Sequence, residues 1–552
     1  MTMKRRIYSL FIALSLVVVS ACDLDLLEDP NVVTPDTADP TLVLNNVQLS
    51  FAGHFSGTSF LGERLSRMMS QPNNLYEQAY VPVNFNGQWT TAYISMLNDI
   101  KLVEELGEDR NLQRHLGMAR FFKAYTMVNM VDWFGDIPYS EALDPTNFNP
   151  NYDSGASVYA EALAILDQAA ANFTAPSAPA VPQDLYYGGD WAKWIKAVNT
   201  LKLKIHLNLR LVDQGGTTAA INALVAGGNL MGPGDDFVFR YGTNFTDPAA
   251  QHPRYGQYNN GGGGDYHSTW YMWHLTEAKG FDDPRVRYYL YRQRTQITTD
   301  PDELRCISEI APAHYLAGGW PFCTPNDRGY WGRDHLNAEG IPPDGPVRTQ
   351  FGVYPIGGRF DDDAGVTVGP GQGADGAGIQ PILMHWFVDF MLAESALTLG
   401  TTGDPRELME QGIRKSMAYV RAFGEEKDGE AVTAWQSGAE FAEDVEDYVD
   451  YVNNEYAGLA NDDRRENIIA REYWLAAWSN GNEAYNLYRR TNGKPDNMQP
   501  GLLESFGTFP RTLPYPNNHM VTNTNAVQKP GLGTKTFWDT NPDGSFASGG
   551  IY

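Results

Sequence analysis

Trp270, Tyr271, Trp273, Trp320, Tyr330 and Trp331 fall in stretches crowded with glycine and flanked by His, Asp and Asn: "YNNGGGGDYHSTWYMWH" and "AGGWPFCTPNDRGYWGRD". A sugar ring presents apolar C–H faces that stack on an indole or phenol, while neighbouring amides and carboxylates bond its hydroxyls. These residues are therefore candidate ligand contacts on loops, where binding sites concentrate. Asn73, Asn74 and Tyr76 offer the same chemistry in a polar segment ahead of the first long helix. Burial is the competing fate, since 13 Trp, 30 Tyr and 25 Phe leave the chain many rings to cover. Trp89, in helical phase with Tyr93 and Leu97, reads as core.

Other chemistries find less support. Glycoside hydrolysis needs two carboxylates flanking the scissile bond, and among 67 acidic residues no local arrangement selects a pair. The chain is read as a non-enzyme. "FDDDAGVTVGPGQGAD" supplies oxygen donors for Ca²⁺ but lacks the spaced acids, turn glycine and closing glutamate of an EF-hand loop; no cofactor is assigned, and calcium stays an alternative. "GQGADGAG" has no flanking strand and helix to make it a dinucleotide loop. The ten histidines contain no HExxH and no metal site is assigned. With Cys22 set aside, Cys306 and Cys323 remain as an even pair, either a disulfide or two buried thiols.

Cys22 has its own context. Lys4, Arg5 and Arg6 precede an apolar run from Ile7 to Val19, and Val19-Ser20-Ala21-Cys22 ends it with small residues. This reads as a secretory signal, too short to span a bilayer. A cysteine at the cut resembles a bacterial lipobox, which predicts a signal peptide over 1–21, a lipidated tether over 22–40 and attachment through acyl chains alone. The net charge of −26 becomes three units more negative once the signal is removed. That balance disfavours nucleic acid and anionic lipid surfaces, and favours a neutral or cationic ligand.

The elements that must position these residues are mostly helical. Short helical patterns run over Leu42–Phe55 and Phe60–Met69. Apolar stripes follow at Trp89–Ile100, Met118–Val128, "SVYAEALAILDQAAANF" and Trp191–Leu209, then at Leu383–Leu397, Met409–Val420, Phe441–Val452 and from Arg464 to about Ser479. Between about 227 and 380 the helical period disappears. Four helical pairs of tetratricopeptide-like size around an irregular insertion would let loops present a binding face. A helical domain without true repeats is the alternative.

At the C-terminal end, "IIAREYWLAAWSNGNEAYNLYRRTNGKP" and "PRTLPYPNNHMVTN" are specific. With "ARFFKAYTMVNMVDWFGDIPYSEAL" and "FMLAESALTLG", they resemble the SusD/RagB family of outer-membrane lipoproteins. The resemblance covers most of the mature chain and implies one mostly α, tetratricopeptide-like domain over 41–552, with the loop-rich insertion carrying the binding face. It implies a Gly-x-Glu-aromatic turn followed by a strand at Arg489-Arg490-Thr491. It departs at His519, where the family usually has glutamate. The implied role is capture of an oligosaccharide, or a peptide, at the cell surface for a TonB-dependent SusC-like transporter. Asp23, Asp25, Glu28 and Asp29 after the cysteine fit display on the outer face, and equally fit a solvated linker. Glu394, Glu483 and Arg490 look like motif residues with a structural salt-bridge role. A structural helical-repeat scaffold of an outer-membrane complex, touching no ligand, is the competing function.

Overall fold

The computed structural model describes residues 38–176, 178–323, 328–340 and 342–543. Cys22, the signal peptide and most of the tether lie outside them. The first helix, α1 (Pro40–Leu65), is one continuous element where the sequence pattern suggests two. Asp39 accepts a hydrogen bond from the Thr41 N–H at 2.8 Å and Pro40 fills the first turn, where a missing donor costs nothing. One interior glycine permits a close approach: a Cβ on Gly62 would lie 2.0 Å from the Gly481 carbonyl oxygen.

The stripes read from sequence pair as helices. A wide π turn over Thr91–Leu97 leads into α2 (Asn98–Asp109), which packs on α3 (Gln113–Phe134); α3 in turn packs on α4 (Gly155–Thr174), and α4 on α5 (Trp191–Asn208). α3 is buried along nearly its whole length and ends at Gly135, whose φ of 72° suits only glycine well. After α6 (Gln214–Gly227) comes the irregular region. Its ends are joined by strand β1 (Phe237–Arg240), antiparallel to β4 (Ile379–Leu383), with Phe237 opposite Leu383 and Arg240 opposite Ile379. Inside it, β2 (Leu290–Tyr291) pairs with β3 (Gln350–Phe351).

This region also holds helices that the sequence pattern does not show, the two longest being α7 (Thr269–Thr276) and α8 (Ala313–Gly318). Both are too short for a 3.6-residue period to register. α9 (His385–Leu399), α10 (Pro405–Trp435), α11 (Gly438–Ala457) and α12 (Asp462–Ala476) complete the pairs. One correction follows at the motif end: residues 481–490 form a helix, α13, where the resemblance implies a turn and a strand. Asn480 accepts from the Glu483 N–H and starts the helix, while Ala484, Tyr485, Leu487 and Tyr488 bury its sides.

A continuous apolar core runs from Leu44 to Trp538, and a smaller cluster of Tyr266, Leu304, Cys323, Trp331 and Val347 surrounds a Cys306–Cys323 disulfide with Cα atoms 5.5 Å apart. Where α5, α9, α12 and α13 meet, buried charges alternate in sign. Arg490 donates to Glu394 at 2.9 Å and to Glu483 at 3.3 Å; Lys204 also reaches Glu483, and Arg210 pairs with Glu394 and Glu466. The motif residues Glu394, Glu483 and Arg490 thus hold helices together, each charge paired as burial requires. No described helix is long and apolar enough to cross a membrane.

Candidate functional site

Most of the candidate rings are packed. Tyr271 is fully buried, stacks on Trp478 at 4.7 Å and donates its hydroxyl to the Leu475 carbonyl at 2.9 Å. Trp270 is 3% exposed, stacked on Trp273 with the ring centres 5.0 Å apart; Trp273 is half-buried. Trp331 meets Tyr266 edge-on inside the small cluster, and Tyr330 lies under the Arg292 guanidinium at 4.7 Å. These loops are short of regular structure yet rich in glycine, which lets backbone fold tightly over rings and bury them. An aromatic cluster beside glycines therefore marks a compact loop core here, and the platform expected of Trp270, Tyr271, Tyr330 and Trp331 is not an open surface.

Trp320 is buried as well, but its surroundings differ. It follows α8 and borders a cleft of about 830 Å³, within the range of small-molecule sites. One wall is α8 itself, whose Ala313, Ala317 and Gly318 keep it low. Gly318 is obligatory: a Cβ there would meet the Trp320 ring at 1.9 Å. The opposite wall is residues 497–506, contributing Asn497, Pro500, Glu504 and Phe506. The walls are stitched together, since Trp320 Nε1 donates to the Asn497 carbonyl at 2.8 Å, Tyr315 to that of Pro500 at 3.1 Å, and His314 Nε2 lies 3.1 Å from the Gly501 carbonyl oxygen.

Beneath the cleft lies a second layer. Tyr76, fully buried, packs edge-on against Phe506 with ring centres 5.8 Å apart, and its hydroxyl lies 3.1 Å from His335 Nε2. Tyr76 is thus a support behind the wall. Asn73 is half-buried and accepts from the Gln71 side chain at 2.6 Å; Asn74 is exposed. Burial, then the positive charges of Arg67 and Arg64, hold the His335 imidazole well below its usual range. Asp334 joins both walls: it accepts from the Cys323 N–H at 3.0 Å and from Gln499 Nε2 at 2.9 Å, while Gln499 also donates to the Pro321 carbonyl. Burial pushes the Asp334 carboxyl up to about 6, against the opposing pull of those donors.

His314, Asn497, Glu504 and Phe506 are site residues that sequence reasoning missed. His314 stands six residues before Trp320, but the other wall is some 180 positions away in the chain, and only the folded contact joins them. The acidic loop "FDDDAG" is tied down by arginines. Asp361 and Asp363 are engaged by Arg292 and Arg287, and among the described residues no cluster of His, Cys, Asp or Glu has metal-holding geometry. His519 replaces the expected glutamate with a ring that packs on Trp89 at 4.7 Å and bonds the Tyr152 hydroxyl at 2.8 Å. A further depression of about 470 Å³ near Thr508, Arg511 and Gly531 ends at Asp543, the last described residue.

Paired helices carrying a lined cleft at the mouth of a folded insertion define a helical binding protein. A family profile described as "Starch-binding associating with outer membrane" matches residues 30–303, and one described as "Susd and RagB outer membrane lipoprotein" matches residues 383–534. The chain belongs to the SusD/RagB family of outer-membrane lipoproteins, whose members bind and do not catalyse. Solved structures agree on the fold. A SusD/RagB family protein from Bacteroides thetaiotaomicron is 17% identical with a TM-score of 0.67, the match covering 92% of this chain and 100% of that one. A SusD homolog from Bacteroides fragilis is 18% identical with a TM-score of 0.64 at the same coverage. A chitin-binding SusD homolog from Flavobacterium johnsoniae is 17% identical with a TM-score of 0.62, covering 91% of this chain and 99% of that one. No curated protein sequence gave a match. Neither family profile reaches α8, the disulfide or Trp320, which lie between the two matched segments.

Proposed function

We propose that this chain is a surface-displayed nutrient-binding lipoprotein that captures an oligosaccharide in the α8 cleft and passes it to a TonB-dependent SusC-like transporter. The observation that carries the reading is the cleft itself: small residues on one wall, Trp320 and Phe506 in the lining, and His314, Asn497 and Glu504 as its polar and charged side chains. Family membership supplies the outer-membrane setting, and a glycan is consistent with one fold relative being a chitin-binding SusD homolog. The helical body over 41–552 acts in this reading as one domain on a lipidated tether that begins at Cys22 and faces outward. The scaffold alternative draws support from the burial of Trp270, Tyr271, Tyr330 and Trp331, which removes those four rings as stacking surfaces.

A blocking substitution separates the two. Ala317 is exposed on α8 and lines the cleft, so Ala317→Trp fills the space without entering the core. Calorimetry with oligosaccharides that bind the wild type should show affinity reduced at least about 30-fold, equivalent to about 2 kcal/mol, with an unchanged thermal melt. Normal binding by the blocked variant would remove this cleft from the mechanism. Trp320→Ala is the less clean probe, because a ring only 8% exposed takes roughly 3–5 kcal/mol of folding stability with it.

A further inference from the structure

We infer that the cleft selects against acidic glycans, and that Glu504 is the residue that imposes the selection. This rests on the capture reading above and goes beyond it to the charge class of the ligand. Among the described residues lining the cleft, Glu504 is the one carboxylate and there is no lysine or arginine. Its side chain is exposed at the rim, next to Leu503, itself 47% exposed. A uronate or sulfate entering the cleft would meet that carboxylate with no cation to receive it.

The cations on neighbouring segments are already engaged. Arg305, before α8, pairs with Glu309 at 3.1 Å; Lys494, before Asn497, pairs with Glu466 and Asp463, both at 2.8 Å; Arg464 is held by Asp496. The wider field has the same sign, with a formal net charge of −26. A negative protein lowers the local concentration of anions before any contact forms. Neutral chains enter without that penalty, and amino sugars carrying a free ammonium gain from Glu504.

The test is a binding panel on the detergent-solubilised full chain, using neutral oligosaccharides (chito-, malto-, cello- and xylo-oligomers), cationic chitosan oligomers, and acidic oligogalacturonides, alginate and chondroitin sulfate oligomers. Neutral or cationic members should bind, and acidic ones should be weaker by about tenfold or more at low salt. The gap should narrow as salt rises to about 0.5 M, because screening shortens the reach of an exposed charge. Glu504→Gln should close it by about three- to fivefold, and Glu504→Lys should reverse it. Acidic oligomers binding as tightly as neutral ones, or a gap unmoved by both variants, would overturn the selection while leaving capture intact. If no oligosaccharide of any charge binds, the capture reading falls and this inference falls with it.

Discussion

Asp334 shows what a single buried group contributes to this molecule. Its carboxylate is 2% exposed and accepts N–H donors from both cleft walls, so removing its solvation raises its pKa to about 6. A folded-state pKa above the unfolded value of about 3.9 means that the native chain holds the proton more tightly. The stability from that preference is fully present below about pH 4 and is lost as pH rises through 6. Two pKa units correspond to roughly 3 kcal/mol. Asp334→Asn cannot titrate, so urea unfolding at pH 4 and pH 7 should show the wild type losing roughly 2–3 kcal/mol relative to the variant over that interval. Parallel pH dependences would mean that the carboxylate is solvated and the walls are not coupled through it. Nothing in the sequence around "GRDHLN" distinguishes this aspartate from 66 other acids. Its role comes from Gln499, which is distant in the chain.

The elements were visible in proportion to how local their signals are. Stripes such as Phe121, Phe122 and Tyr125, or Met409, Ile413 and Val420, announce helices because a 3.6-residue period lies within one stretch of sequence. α7 and α8 are too short to carry one, and α13 is a helix despite its motif because Asn480 caps it and the core covers its flanks. The cleft was half visible: Trp320 stood out by composition, whereas the wall from Asn497 to Phe506 is brought in by tertiary contacts. The same element view gives a prediction for the loop that carries α8. The Cys306–Cys323 bond closes about 18 residues and should stabilise the fold by roughly 3 kcal/mol. Because α8 and Trp320 lie within that loop, the Cys306→Ser/Cys323→Ser double variant should also lose ligand affinity, whereas loss confined to the thermal melt would mean that Asp334 and Gln499 hold the walls unaided.

For the whole molecule the question is how a strongly negative body stays at a membrane and why that location is useful. The described chain has no spanning helix, and a net charge of −26 gives it no attraction to anionic headgroups. In the proposed reading membrane residence comes from the covalent anchor at Cys22, where each buried CH₂ adds about 0.8 kcal/mol and two or more acyl chains suffice for stable attachment. In that reading the tethered protein hands its cargo to another protein, and membership of the SusD/RagB family is why the proposal includes a transporter. Both parts can be tested with one substitution. Cys22→Ala removes the thiol that would carry the diacylglycerol, leaving the helical body untouched. Cells grown with labelled palmitate should lose the label from this protein. The chain should leave the membrane fraction, and mild detergent should no longer co-extract it with a TonB-dependent barrel at the wild-type ratio. Label retained at the wild-type level would refute lipidation at Cys22. Loss of label with co-extraction unchanged would show instead that the helical body grips its partner directly and that the anchor serves only delivery.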